Sequence, residues 1–133
     1  MTDPVVDSFG GLTRVIDAFI PNGAARTEPL ENAGWSSIGV ILNGSSWTAA
    51  DIGVEVSPDR STWVLLTTIS GANLRLTSLP TGAAFARSFS TNAIDVMSFP
   101  WFRLISLNTG SAADVNQGAA RNLWITLKKR IGG

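Results

Sequence analysis

The chain has 133 residues, 44% of them apolar and only 15% charged, and ten basic and ten acidic side chains cancel to zero net charge. A domain of this length can bury a core without disulfides or a metal. It lacks the cationic stripe that nucleic acid demands, the one basic run being Lys128-Lys129-Arg130. Cysteine and histidine are absent, which excludes disulfides, zinc sites built on Cys and His, and Ser-His or Cys-His nucleophiles.

The opening MTDPVVDSFGG has no basic segment leading into an apolar one, so a secretory signal is not expected. No apolar run approaches the ~18 residues of a membrane span. The expectation is a protein made in a cytoplasm, without membrane partners.

Turn-forming Gly, Pro, Asn, Asp and Ser clusters recur about every 8–12 residues, the punctuation of an all-β sandwich or barrel. No segment keeps a helical period over three turns. The spacing predicts strands at 12–20 and 35–42, the second with Ile38, Val40 and Leu42 on one face. Between them Pro21–Gly34 reads as a loop or extended arm, since Pro21 and Pro29 lack backbone donors and Asn22-Gly23 marks a turn. In Asp51–Ser57, Ile52, Val54 and Val56 alternate with Asp51, Gly53, Glu55 and Ser57, and the acids are expected in water. Thr62–Thr68, Asn73–Leu79, Ala84–Ser90 and Trp101–Leu107 follow. Asn108–Ala120 is a long small-residue loop, either a flexible hairpin tip or functional. Asn122–Lys129 closes the series, with Leu123, Ile125 and Leu127 inward and Asn122, Trp124, Thr126 and Lys128 outward. The reading is a single domain, an antiparallel β-sandwich of about eight strands, jelly-roll-like. Residues 1–34 supply a first strand and an extended N-terminal arm; residues 35–133 form the sandwich core.

The ten acids are scattered, and no Gly-rich phosphate loop or calcium-loop spacing is present. No catalytic, cofactor-binding or metal-binding residue is assigned, and an enzyme is not expected. The tryptophans raise two alternatives. They could stack on sugar rings, as in a carbohydrate-binding module, or fill a core or interface. Trp63, Trp101 and Trp124 fall inside strand runs, which favours core or interface.

The 62–68 and 101–107 runs are apolar on both faces, whereas a half-exposed antiparallel strand shows one polar face. With so little charge, this implies that an outer face is covered, by the 21–34 arm or by another subunit. The candidate interface residues are Trp63, Leu65, Trp101, Trp124, Pro21 and Pro29. The segments 1–14 and 21–34 are candidates for reaching a neighbour. In SPDRSTW, Pro58-Asp59-Arg60-Ser61 reads as a type I-like corner with Asp59 and Arg60 in solvent.

From Trp35 to Lys129 the order WTAADIGVEVS, TWVLLTT, FPWFRLIS, NQGAARNLWITLK resembles small β-sandwich proteins encoded near the capsid genes of tailed bacteriophages, the head decoration or cement proteins. SPDRSTW is similar to the S-x-D-G-x-x-W turn of galactose-binding-like jelly rolls, and WFRLIS to their late R-Y-V-R-L strand. Arg60 stands where that turn usually has Gly, so a positive φ there would be strained. The resemblance implies a structural virion protein on the outside of a capsid. Such a protein bridges capsomers, has the major capsid protein as partner, and is often a homotrimer. The sugar-binding relatives' ligand residues have no counterparts here.

Overall fold

The computed structural model describes residues 5–6, 11–32, 37–67, 71–89 and 99–130. Trp35, the end of the expected 62–68 strand and most of segment 1–14 lie outside them. Ten strands are described: β1 (Val5–Val6), β2 (Gly11–Ile20), β3 (Leu30–Glu31), β4 (Ser37–Leu42), β5 (Asp51–Ser57), β6 (Val64–Leu65), β7 (Arg75–Leu76), β8 (Phe85–Ser88), β9 (Trp101–Leu107) and β10 (Arg121–Arg130). Four of the ten are two-residue strands, two of them (β1 and β3) not foreseen. The expected 62–68 and 73–79 runs shrink to β6 and β7.

All pairings are antiparallel. The first sheet has the order β1-β2-β10-β4-β8, the second β3-β9-β5-β6, with β7 on the same edge of β5 as β6. Leaving β1 aside, successive strands cross from sheet to sheet, except at the β5–β6–β7 excursion. That is the jelly-roll order.

Alternation explains the core. Ile16, Ile125 and Val40 stand in one cross-strand row, and Ala18, Leu123 and Leu42 in the next. All six are buried, and Leu123, Ile125 and Val40 show no exposed surface. From the second sheet Ile52, Val54, Val56, Phe102 and Leu104 meet them. Each such side chain contributes about 1.5–3 kcal/mol. Trp47 plugs one end, edge-on to Phe85 at 5.8 Å between centroids, its indole N–H donating to Ala50 O at 3.1 Å. Among the described tryptophans Trp47 alone is buried in the core; Trp63, Trp101 and Trp124 are half-buried on outer faces.

The arm does not reach outward over its described residues. It runs along β9 as the edge of the second sheet: Ser106 N donates to Ala25 O (2.7 Å), Thr27 N to Leu104 O (3.0 Å), and Leu30 pairs with Phe102. The first 34 residues therefore give β1 and β2 to the first sheet and β3 to the second. The 108–120 loop is also pinned. Gln117, 1% exposed, donates to Ser106 Oγ (2.8 Å) and Thr48 O (3.2 Å), while its Oε1 accepts from Thr48 N and Arg121 Nε. Its backbone carbonyl accepts from Gly23 N, and its N–H donates to Ala24 O. One residue thus ties loop, arm and both sheets together, the arm through its backbone and the sheets through its side chain.

Candidate functional site

The outward residues of the second sheet form rows fixed by register. Trp101 stands opposite Ser57, Arg103 opposite Glu55, Ile105 opposite Gly53, and Leu107 opposite Asp51. On the other side of β5, Leu65 stands opposite Glu55, and the pairing of Val64 with Val56 brings Trp63 level with Ser57. Two tryptophans therefore flank a small serine.

Each tryptophan carries a guanidinium. Arg103 Cζ lies 4.2 Å from the Trp63 ring centroid, and Arg60 Cζ lies 5.0 Å from that of Trp101. The Arg60 placement follows from the corner. Ser57 Oγ accepts from Asp59 N (3.2 Å) and Arg60 N (2.8 Å); Asp59 Oδ1 accepts from Ser61 N (2.9 Å) and Thr62 N (2.8 Å). The Thr62 and Ser61 N–H groups hold the Asp59 carboxyl below the ordinary carboxylate range. Arg60 itself has φ 68°, the left-handed conformation that glycine adopts without strain. That conformation costs a non-glycine residue about 1–2 kcal/mol. Asp59 and Arg60 are exposed, as expected, but Arg60 is a stacking residue rather than a bare solvated one.

The acids of β5 correct the sequence reading. Asp51 is 2% and Glu55 8% exposed. Glu55 Oε1 accepts from Arg26 Nε at 2.7 Å and from Arg103 Nε at 2.8 Å. Arg26 also grips Asp114 with two bonds, 2.6 and 3.2 Å. The hydrogen bond to Glu55, helped by that to Asp114 and opposed by partial burial, raises the Arg26 pKa above the ordinary arginine value. Asp51 pairs with Arg75 at 2.9 Å, and Arg75 donates onward to the Asn108 and Ser111 carbonyls. Two arginines thus hold the 108–120 loop down, one through Asp114 and one through its backbone. Beside these pairs Ile105 and Leu107 are buried with Ala25 and Leu65. Gly53 makes room for them: a Cβ there would stand 2.5 Å from Leu107 Cδ1. The second apolar face of β9 is therefore covered in large part by the chain's own arm and loop.

Beside Trp101 a cleft of about 300 Å³ opens between the sheets' edges, bounded by Arg14, Asp17, Glu28, Pro29, Arg60 and Trp101. The structure thus brings Trp63, Leu65 and Trp101 onto one face, with Pro29 in the adjoining cleft. Pro21 is exposed at the start of the arm. Trp124 lies on the outer face of the other sheet. Sequence reasoning missed Arg26, Arg103, Glu55 and Asp114 as a unit. The available signal was opposite charge at outward positions of two apolar runs, IGVEV and WFRLIS, but their register is not written in either. No protein-family model matches the chain, and no curated protein or solved structure matches it.

Proposed function

We propose that this is a structural virion protein, a head decoration or cement protein that binds the outside of a phage capsid and stabilises it by bridging capsomers. The observation that carries the reading is the pair Trp63 and Trp101, each half-buried beneath a guanidinium on a face rigidified by ion pairs. Tryptophan and arginine dominate the residues that carry binding energy at protein interfaces, above all where neighbouring groups are already held in place. Leu65, opposite the outward-facing Glu55, extends the patch. Its partner is the major capsid protein, and its location the capsid surface after synthesis in the host cytoplasm. Recognition needs surface burial and no covalent chemistry. On the family resemblance the protein is a homo-oligomer once seated on the capsid, a trimer being favoured there; the state of the free protein is a separate question.

The test is co-sedimentation with phage heads stripped of their outer proteins. Wild-type protein should pellet with the shells and raise the temperature at which they open. The Trp63→Ala/Trp101→Ala variant, folded by circular dichroism, should stay in the supernatant. Folded wild-type protein that never pellets with heads contradicts the proposal.

A second reading, a carbohydrate-binding module for host attachment, is favoured by one observation: the cleft combines an aromatic wall with planar polar side chains. Soluble polysaccharides that change Trp101 fluorescence at the wild-type cleft, but not in Arg60→Ala or Glu28→Ala, would support it.

A further inference from the structure

The outer face of the first sheet is built differently. Four rows cross it: Thr13-Lys128-Ser37, Val15-Thr126-Gly39-Ser88, Asp17-Trp124-Ile41-Ala86 and Phe19-Asn122. The first two rows are largely small. The last two carry Phe19, 51% exposed, with Trp124 and Ile41 half-buried. A hollow of about 400 Å³ opens over the small half, bounded by Thr13, Ser37, Gly39, Ser88, Thr126 and Lys128. Gly39 helps to form it, because a Cβ there would collide with Thr126 Oγ1. One face thus presents a bulky half and a hollow half, about two residues or 7 Å apart along the strands.

From this we infer that the face receives a second copy of the chain, packed sheet on sheet about a two-fold axis. The axis lies across the strands, midway between the Thr126 and Trp124 rows. That operation places each row on its counterpart in the partner copy. Trp124 of one copy then enters the hollow over Thr126 and Gly39 of the other, Ile41 lies over Gly39, and Phe19 lies over Thr13. The same operation puts large on small at both ends, as an isologous contact requires. Charge agrees. Asp17 and Lys128 are the charged residues of these rows, and the axis brings Asp17 of each copy within a lysine side chain's reach of Lys128 of the other. Area sets the strength. The face offers about half of the 20–30 residues per side of a standard interface. The dimer is accordingly reversible rather than obligate. This contact uses neither Trp63 nor Trp101, although Asp17 also borders the cleft beside Trp101, and it does not depend on a capsid.

Sedimentation equilibrium of the wild-type protein from micromolar to millimolar concentration tests the inference, alongside Asp17→Lys, Lys128→Asp and the double exchange. The expected result is a monomer–dimer equilibrium. Each single exchange should weaken it about tenfold or more, and the double exchange should restore it. Circular dichroism should be unchanged throughout, because both residues are exposed. A monomer at every concentration overturns the inference, as does a trimer, or a dimer indifferent to the exchanges. A monomer that still pellets with heads would leave the proposed function standing; a dimer that never does would remove that function and keep this contact.

Discussion

The two outer faces of this sandwich handle the same problem in opposite ways. On the second sheet, β9 carries Trp101, Ile105 and Leu107 outward, and the chain packs Ala25, Leu65, the arm and the 108–120 loop around them. The buried acids of β5 are neutralised there by Arg26, Arg103 and Arg75. On the first sheet, Phe19, Ile41 and Trp124 stay partly or largely exposed beside an open hollow. The lesson is that a strand apolar on both faces does not by itself call for a partner. What distinguishes the faces is whether the chain's own loops return over them.

Substitutions on the two faces should therefore differ in kind. The largest effect is expected for Glu55→Ala. It leaves the partly buried Arg103 without its carboxylate and Arg26 with Asp114 alone, and should destabilise the fold by about 3 kcal/mol, read from urea unfolding. Gln117→Ala comes next. It strands the Thr48 amide and the Ser106 hydroxyl and removes the loop's side-chain ties to both sheets, while its backbone bonds to the arm stay; about 2–3 kcal/mol is expected, with faster hydrogen exchange at Thr48 and Val115. If both variants melt like the wild type, the second face is not held by its polar network.

Phe19→Ser on the first sheet should change stability by about 0.5 kcal/mol or less while weakening self-association. A large loss of stability would show that this face is part of the fold's own core. The smallest effect concerns the corner. Because the folded Asp59 carboxyl has the lowered pKa, the turn contributes stability above the ordinary carboxylate range and loses it as pH falls through the lowered folded value. Asp59→Asn should therefore narrow the difference in melting temperature between neutral and strongly acidic solution. An unchanged pH profile would show that the corner adds nothing to stability.

Much of the fold was legible because inward positions repeat with period two. Ile38, Val40, Leu42, Ile52, Val54, Val56, Leu123, Ile125 and Leu127 all face the core as their alternation implies. The jelly-roll class was legible through strand count, while the strand order became visible only in the pairings. The short strands were not. β3, β6 and β7 are defined by the long strands they pair with rather than by a pattern of their own, so the arm read as a loop and two runs read too long. The candidate site was half legible. Trp63, Leu65 and Trp101 stand out as surplus apolar residues, and the structure puts them together. Glu55 and Asp51 were placed in water because a lone acid in a strand usually is. Their arginine partners lie 20 or more residues away in sequence and become visible only once register is known.

The most direct test of the contrast between the faces is fluorine NMR of the protein labelled with 5-fluorotryptophan, its resonances assigned by Trp→Phe variants. On concentrating the free protein, the Trp124 signal should shift while those of Trp63 and Trp101 stay fixed. On adding stripped phage heads, Trp63 and Trp101 should broaden. A Trp124 signal indifferent to concentration, with Trp63 or Trp101 shifting in its place, would contradict the account.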